Sequence, residues 1–145
     1  MHKLADQMMA GVSVPLLHIA DATAAAIRQK GLKNPGLMAT AFTMEQAFYT
    51  DRLAAAGLCP LVPVAADRAG THQIIYEELC RDIVNEDSRS RFVAIARRLA
   101  ERGADCLILG CTEVGMLLDQ GNVPVPVFDT TLVHCHAALT AALAG

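Results

Sequence analysis

The run Cys106-Leu107-Ile108-Leu109-Gly110-Cys111-Thr112-Glu113 holds the residues best suited to chemistry. An apolar strand ends at a small residue, a thiol follows, and Thr112-Glu113 then opens what reads as a helix. In an open α/β sheet, ligands bind beyond the carboxyl ends of the strands. A thiol at that edge, facing the first amides of a helix, is placed to favour thiolate. The pattern therefore predicts a Cys111 pKa below the ~8.5 of a free cysteine. The same pattern also fits a buried structural cysteine, because an unpaired Cys packs as a small hydrophobe. His134-Cys135-His136 is the other grouping with ligand chemistry. Consecutive helix positions do not share a face, and no further ligands lie near in sequence, so no metal site is expected. His18 ends an apolar run, where it reads as a structural histidine or a residue lining the cleft.

The elements that must position these residues alternate between strand and helix. Apolar runs at Gly36–Thr40, Cys59–Val64, Cys106–Gly110 and Val125–Phe128 predict four strands, and Val14–Ile19 reads as a further one. Cys59–Val64 is the weakest of the four, because Pro60 and Pro63 remove ladder donors. Residues 2–10 read as a helix. Asp21 is placed to cap a helix that Gly31 ends, and Thr43 to cap one from Met44 to Ala56 that Gly57 ends. Helical spacing recurs around Ile74, Ile75 and Leu79, from about Glu86 to Arg102, and from about Thr131 to Leu143. Alternation of this kind predicts an α/β fold, a parallel sheet covered by helices on both faces. Val14-Pro15-Leu16-Leu17-His18 also echoes Val125-Pro126-Val127-Phe128-Asp129. In the second copy a strand and Cys111 precede the echo, whereas the first copy starts inside its helix.

A chain of 145 residues fits one domain of ordinary size. Hydrophobic residues make up 53% but aromatics only 4%, so alanine and the aliphatics carry the packing. The net charge of −3, with Lys and Arg scattered, argues against a nucleic-acid surface. No apolar run approaches a membrane span, and no signal peptide is visible after Met1. Five cysteines without a CxxC pair fit a reduced, cytoplasmic setting. Cys106 and Cys111 should point to opposite faces, which disfavours a disulfide between them.

Several pieces together resemble the cofactor-independent aspartate/glutamate racemase family, in particular its aspartate racemase or broad-specificity branch. They are Met1-His2-Lys3-Leu4-Ala5-Asp6, Pro15-Leu16-Leu17-His18-Ile19-Ala20-Asp21-Ala22-Thr23, Thr40-Ala41-Phe42-Thr43-Met44-Glu45-Gln46 and Phe48-Tyr49. Gln73-Ile74-Ile75-Tyr76-Glu77-Glu78-Leu79, Gly110-Cys111-Thr112-Glu113 and Pro126-Val127-Phe128-Asp129-Thr130 complete them. The resemblance implies two similar α/β lobes, each giving one cysteine at a strand end to a site between them. Cys111 would be the second-lobe cysteine. The first-lobe cysteine, in a Cys-Thr-Asn-Thr-type motif, would fall just before the residues matching Met1-His2-Lys3. The expected organisation is thus an N-terminally truncated family member. Residues 1–20 would be a remnant of the first lobe, 21–129 the second lobe, and 130–145 a helix returning toward the first.

The chemistry so implied is racemisation without a cofactor: one group removes the Cα proton and another returns one on the opposite face. Cys111 would be one of the two. Thr40, Thr43 and Thr112 fall where carboxylate-binding hydroxyls are expected, and Glu113 could orient the thiol or accept its hydrogen bond. Helix capping and a favourable first-turn charge account for the same residues without a ligand. Ala39, Gly70 and Asp82 depart from residues that are often Gly, Lys and Gly in relatives, and Arg81 could supply a missing cation. The expected partner is a small amino-acid or dicarboxylate substrate, with no nucleic acid and no membrane. Uncovered Leu16, Leu17, Leu139 and Leu143 would favour a homodimer or larger homo-oligomer. A chain with one catalytic thiol is expected to be inactive alone. The alternatives are a non-catalytic carboxylate-binding lobe and a self-associating structural remnant.

Overall fold

A computed structural model describes residues 2–144. Met1 and Gly145, the outer ends of the expected first and last segments, lie outside the described residues. After a short 3-10 turn at His2–Leu4 the helices are α1 (Ala5–Met9), α2 (Ile19–Gln29), α3 (Ala41–Glu45), α4 (Ala47–Ala55), α5 (Ala65–Glu77), α6 (Glu86–Glu101) and α7 (Thr130–Leu143). The strands β1 (Pro35–Met38), β2 (Cys106–Leu109) and β3 (Val127–Asp129) form a parallel sheet in that order, with Leu37 beside Ile108 and Ile108 beside Phe128.

Every residue of β1 and β2 is buried, as expected for parallel strands covered on both faces. Side chains alternate between two cores. Met38, Leu107 and Leu109 pack with Ile75, Phe92 and Leu99 of α5 and α6. Leu37, Cys106 and Ile108 pack with Ala24 and Ile27 of α2 and with Tyr49 and Leu53 of α4. Cys106 therefore points away from the face Cys111 packs against, and all five cysteines are free.

The sheet has three strands, not the four expected, and Cys59–Val64 is the one that fails. Its backbone does run beside β1. Cys59 N–H donates to Lys33 O, Leu61 N–H to Pro35 O, and Leu37 N–H to Leu61 O, each at 2.8 Å. The next donor in that parallel ladder would be residue 63, and Pro63 has no N–H. Pairing stops there as a single bridge between Gly36 and Leu61, and the chain turns into α5. Val14–Ile19 is not a strand either. Residues 12–18 carry no regular structure, Val14 is 63% exposed, and α2 begins at Ile19. Among the described residues this run pairs with no strand, although β3 has a free edge.

Two caps differ from expectation. His18, not Asp21, caps α2: its Nδ1 accepts Ala20 N–H at 3.1 Å, and the ring is buried. Asp21 lies in the first turn and pairs with Arg52 at 2.8 Å. Thr43 sits inside α3, whose N-cap is Thr40, and the expected long helix is broken at Gln46, where ψ is 135°. Gly57 (φ +85°) ends α4 in the left-handed conformation that favours glycine. Asp82 takes the same region (φ 60°), which favours glycine and which an Asp tolerates better than most residues.

Candidate functional site

The carboxyl ends of three neighbouring strands converge on one edge of the sheet. β1 runs out at Thr40, β2 at Gly110-Cys111 and β3 at Thr130. Gly110 N–H donates to Met38 O at 2.8 Å, which holds the β2 exit against β1. Thr130 Oγ1, buried, donates to Leu109 O at 2.9 Å and ties the start of α7 to the same edge. A cleft of about 440 Å³ opens there, within the usual size of small-molecule sites. Gly110, Thr43 and Thr130 form its floor. Ile19, Phe42, Phe48 and Tyr49 form apolar walls, and Lys3 and Leu4 close one side.

The expected site residues fall into two groups. Thr40 and Thr43 are together, with their hydroxyls 3.3 Å apart, and Thr43 lines the cleft. Cys111, Thr112 and Glu113 form the second group, just beyond Gly110. Cys111 Sγ donates to Glu113 Oε2 at 2.7 Å, and Thr112 Oγ1 donates to the same oxygen at 2.6 Å. Cys111 is half-buried against the Met38–Leu109 core. Thr112 is exposed and does not cap a helix: Thr112–Met116 is a five-residue 3-10 turn with Cys111 at its N-cap.

That turn reverses the expected electrostatics of the thiol. Five residues of 3-10 helix supply little aligned dipole, so nothing strong favours thiolate. Burial and the hydrogen bond to the Glu113 carboxylate instead push Cys111 up to about 12, not below the free value. The same contact draws Glu113 below the ordinary carboxylate range. Cys111 is therefore held as a thiol, with its proton directed at an ionised carboxylate.

Cys106, buried under the sheet, is pushed to about 12 by burial and then by Asp105. Both thiols keep their protons in the fold, while an unfolded chain releases them from the ordinary 9.0. Between those values the unfolded state binds fewer protons, so stability falls as pH rises. The contribution is complete below about pH 9 and lost by about 12. Urea midpoints measured from pH 7.5 to pH 11 should fall, and Cys106→Ala should flatten that slope. A constant midpoint across this range would contradict it.

Other weighed residues sit elsewhere. Arg81 is exposed in the turn Leu79–Arg81 and does not line the cleft. His134 Nε2 lies 3.0 Å from Leu17 O, while Cys135 and His136 are exposed on α7. Among the described residues, no three His, Cys, Asp or Glu side chains are gathered as metal ligands. No helix among them is long and apolar enough to cross a membrane. Lys3, Phe42, Phe48 and Tyr49 lie inside the motifs that carry the resemblance, but nothing in their types or spacing marks them for a site. His72, whose Nδ1 accepts Ala41 N–H at 3.4 Å beside Thr40, gave no signal in the sequence at all.

Residues 1–138 match the family model described as Asp/Glu/Hydantoin racemase. A crystal structure of a candidate Asp/Glu racemase from Yersinia pestis superimposes with a TM-score of 0.96 at 45% identity, over 99% of this chain and 63% of that one. An aspartate racemase homologue from Pyrococcus horikoshii OT3 gives 0.90 at 32% identity, over 97% of this chain and 62% of that one. This chain thus spans less than two thirds of either solved relative. An uncharacterised protein from the pnlA 3′ region of Pectobacterium carotovorum subsp. carotovorum is 30% identical over 105 residues, covering 72% of this chain and 69% of that protein.

Proposed function

Since the chain belongs to the Asp/Glu/hydantoin racemase family, we propose that it carries one acid/base centre of a cofactor-independent 1,1-proton transfer at an amino-acid Cα, with Cys111 as the transferring group. The observation that carries this reading is the placement of Cys111. Its thiol follows the central strand, abuts the residue that floors the cleft, and donates to Glu113 at 2.7 Å. A two-base transfer starts with one group protonated and one not. Cys111, held as thiol, takes the acid part: it gives its proton to the Cα carbanion while a base on the other face removes the original one. The Thr40–Thr43 hydroxyl pair is suited to hold the substrate carboxylate as charge develops. Glu113 is a positioning residue that fixes both the direction and the protonation of the thiol. The base on the opposite face would come from a first lobe of the whole protein, of which residues 1–20 would be the edge. Residues 21–129 form the second lobe in this account, and free thiols suit a reducing compartment.

Glu113→Gln tests the assignment. It removes the anion but keeps a hydrogen-bond acceptor, so the thiol pKa should fall. Each unit of fall gives about tenfold more thiolate at a pH well below the pKa. Alkylation of Cys111 at pH 8, read by peptide mass spectrometry against Cys59 as internal reference, should accelerate about tenfold. An unchanged rate would mean that Glu113 does not control the thiol.

A further inference from the structure

We propose that Gln120 stands in for a neighbouring strand: its side-chain amide covers the outer edge of β3 and keeps that edge from pairing with the β3 edge of a second copy of the chain. β3 ends the described sheet, and on its inner side Leu107 N–H donates to Pro126 O at 2.8 Å. Alternation along the strand turns the backbone groups of Val125 and Val127 outward. There Val127 N–H donates to Gln120 Oε1 at 3.0 Å, and Gln120 Nε2 donates to Val125 O at 3.3 Å. In a parallel ladder, one residue of a neighbouring strand makes the same pair of bonds, to the C=O of one residue and the N–H two further on. The Gln120 amide thus fills one rung of a ladder that has no strand. An edge left with unpaired N–H and C=O groups is a template for another chain, and covering it is how a fold prevents that.

The turn at 119–122 keeps its shape without the Gln120 side chain. Asp119 N–H donates to Asn122 Oδ1 at 3.1 Å, Gly121 N–H to Asp119 Oδ1 at 2.7 Å, and Asn122 Nδ2 to Leu117 O at 2.9 Å. Gln120 itself is exposed, so shortening it opens the edge without emptying a core. Beside the edge lies a groove of about 410 Å³, with Leu118, Phe128, Leu132 and Val133 in its lining, and Leu132 is 68% exposed. The partner this surface fits is the same surface of another copy. In an antiparallel pair about a two-fold axis, Val127 of each chain supplies the N–H and C=O that the other needs. Leu132 of each copy then supplies apolar surface for the groove of the other. One short strand and one groove make a small interface, so the uncovered edge should pair weakly, with Kd on the order of 10⁻⁴ M.

The test is sedimentation velocity of the full 145-residue chain, of Gln120→Ala and of Gln120→Ala with Val127→Pro, from about 5 to 500 µM, a range that brackets the expected Kd. The mass of Gln120→Ala should rise toward twice the wild-type value across that range. Val127→Pro deletes the outward N–H, which β2 does not use, at an edge position that tolerates proline. The double variant should therefore return to the wild-type mass. Hydrogen exchange read by mass spectrometry at the dilute end gives a second readout: the Val127 amide should exchange roughly tenfold or more faster in Gln120→Ala than in the wild type. Gln120→Ala that keeps the wild-type mass throughout, whatever its stability, would make Gln120 a loop anchor only and overturn the proposal. Association that survives Val127→Pro would place the contact elsewhere and overturn it too. Equal exchange at Val127 in the two proteins would remove the covering bond on which it stands.

Discussion

The 145-residue chain, incubated with an L-amino acid in D₂O, is expected to return it with its configuration intact. Inversion needs a donor on each face of Cα, and among the described residues Cys111 is the one thiol beside the cleft. Cys106 is buried under the opposite face of the sheet; Cys59, Cys80 and Cys135 are exposed and do not line the cleft, although Cys80 lies close enough to Cys111 to act on its thiol electrostatically. Losing one member of an acid/base pair typically costs on the order of 10²–10⁴ in rate, and losing the orientation a second lobe gives adds to that. Cys111 also starts as a thiol, with its pKa near 12, so at neutral pH little of it can act as a base. Exchange of the α-proton for deuterium should therefore be slow at pH 7, rise with pH as thiolate forms, and proceed with retention. Chiral chromatography and mass spectrometry of the recovered amino acid check both statements. Racemisation at ordinary enzyme rates would mean that a second base arises within this chain or from another copy of it.

Gly110→Ala is expected to destabilise the fold by about 1–3 kcal/mol, the usual cost of overpacking. A Cβ at this position would stand 2.9 Å from Leu37 Cδ1 and 3.0 Å from Ala39 Cβ. The leucine tip can swing aside, but Ala39, fully buried just past the end of β1, cannot. The β2 exit must then move off β1, lengthening the Gly110–Met38 hydrogen bond and displacing Cys111 with it. Gly70→Ala is the matched control. Gly70 lies inside α5 with nothing within 4 Å of its added Cβ, so the change should stabilise by roughly 0.5–1 kcal/mol through helix propensity. Urea midpoints of the two variants should move in opposite directions. Equal shifts would remove the close crossing at Gly110 from the account.

The main elements were legible because their signals are local. Continuous apolar runs at 36–40 and 106–110 are what a doubly covered parallel strand requires, and α6 was readable from its apolar spacing to within a residue. The fourth strand was misjudged for a reason present in the sequence, since the position of Pro63 in the ladder decides where pairing stops. The Val14–Ile19 run is not legible as irregular chain because an apolar stretch becomes a strand only where it pairs, and pairing is not written locally. At the site, the grouping of Cys111 with Glu113 could be read from adjacency. The direction of the thiol shift could not, because it depends on the length of the turn after Cys111 and on the depth of burial. Lys3 and Phe42 reach one cleft from positions 39 residues apart, joined by folding alone.

The α-proton exchange rate of the wild-type chain and of Cys111→Ser, followed in D₂O from pH 7 to pH 11, bears most directly on the role given to Cys111. Exchange should rise with pH in the wild type and be lower by on the order of 10²–10⁴ in Cys111→Ser. Equal rates in the two proteins across that range would contradict it.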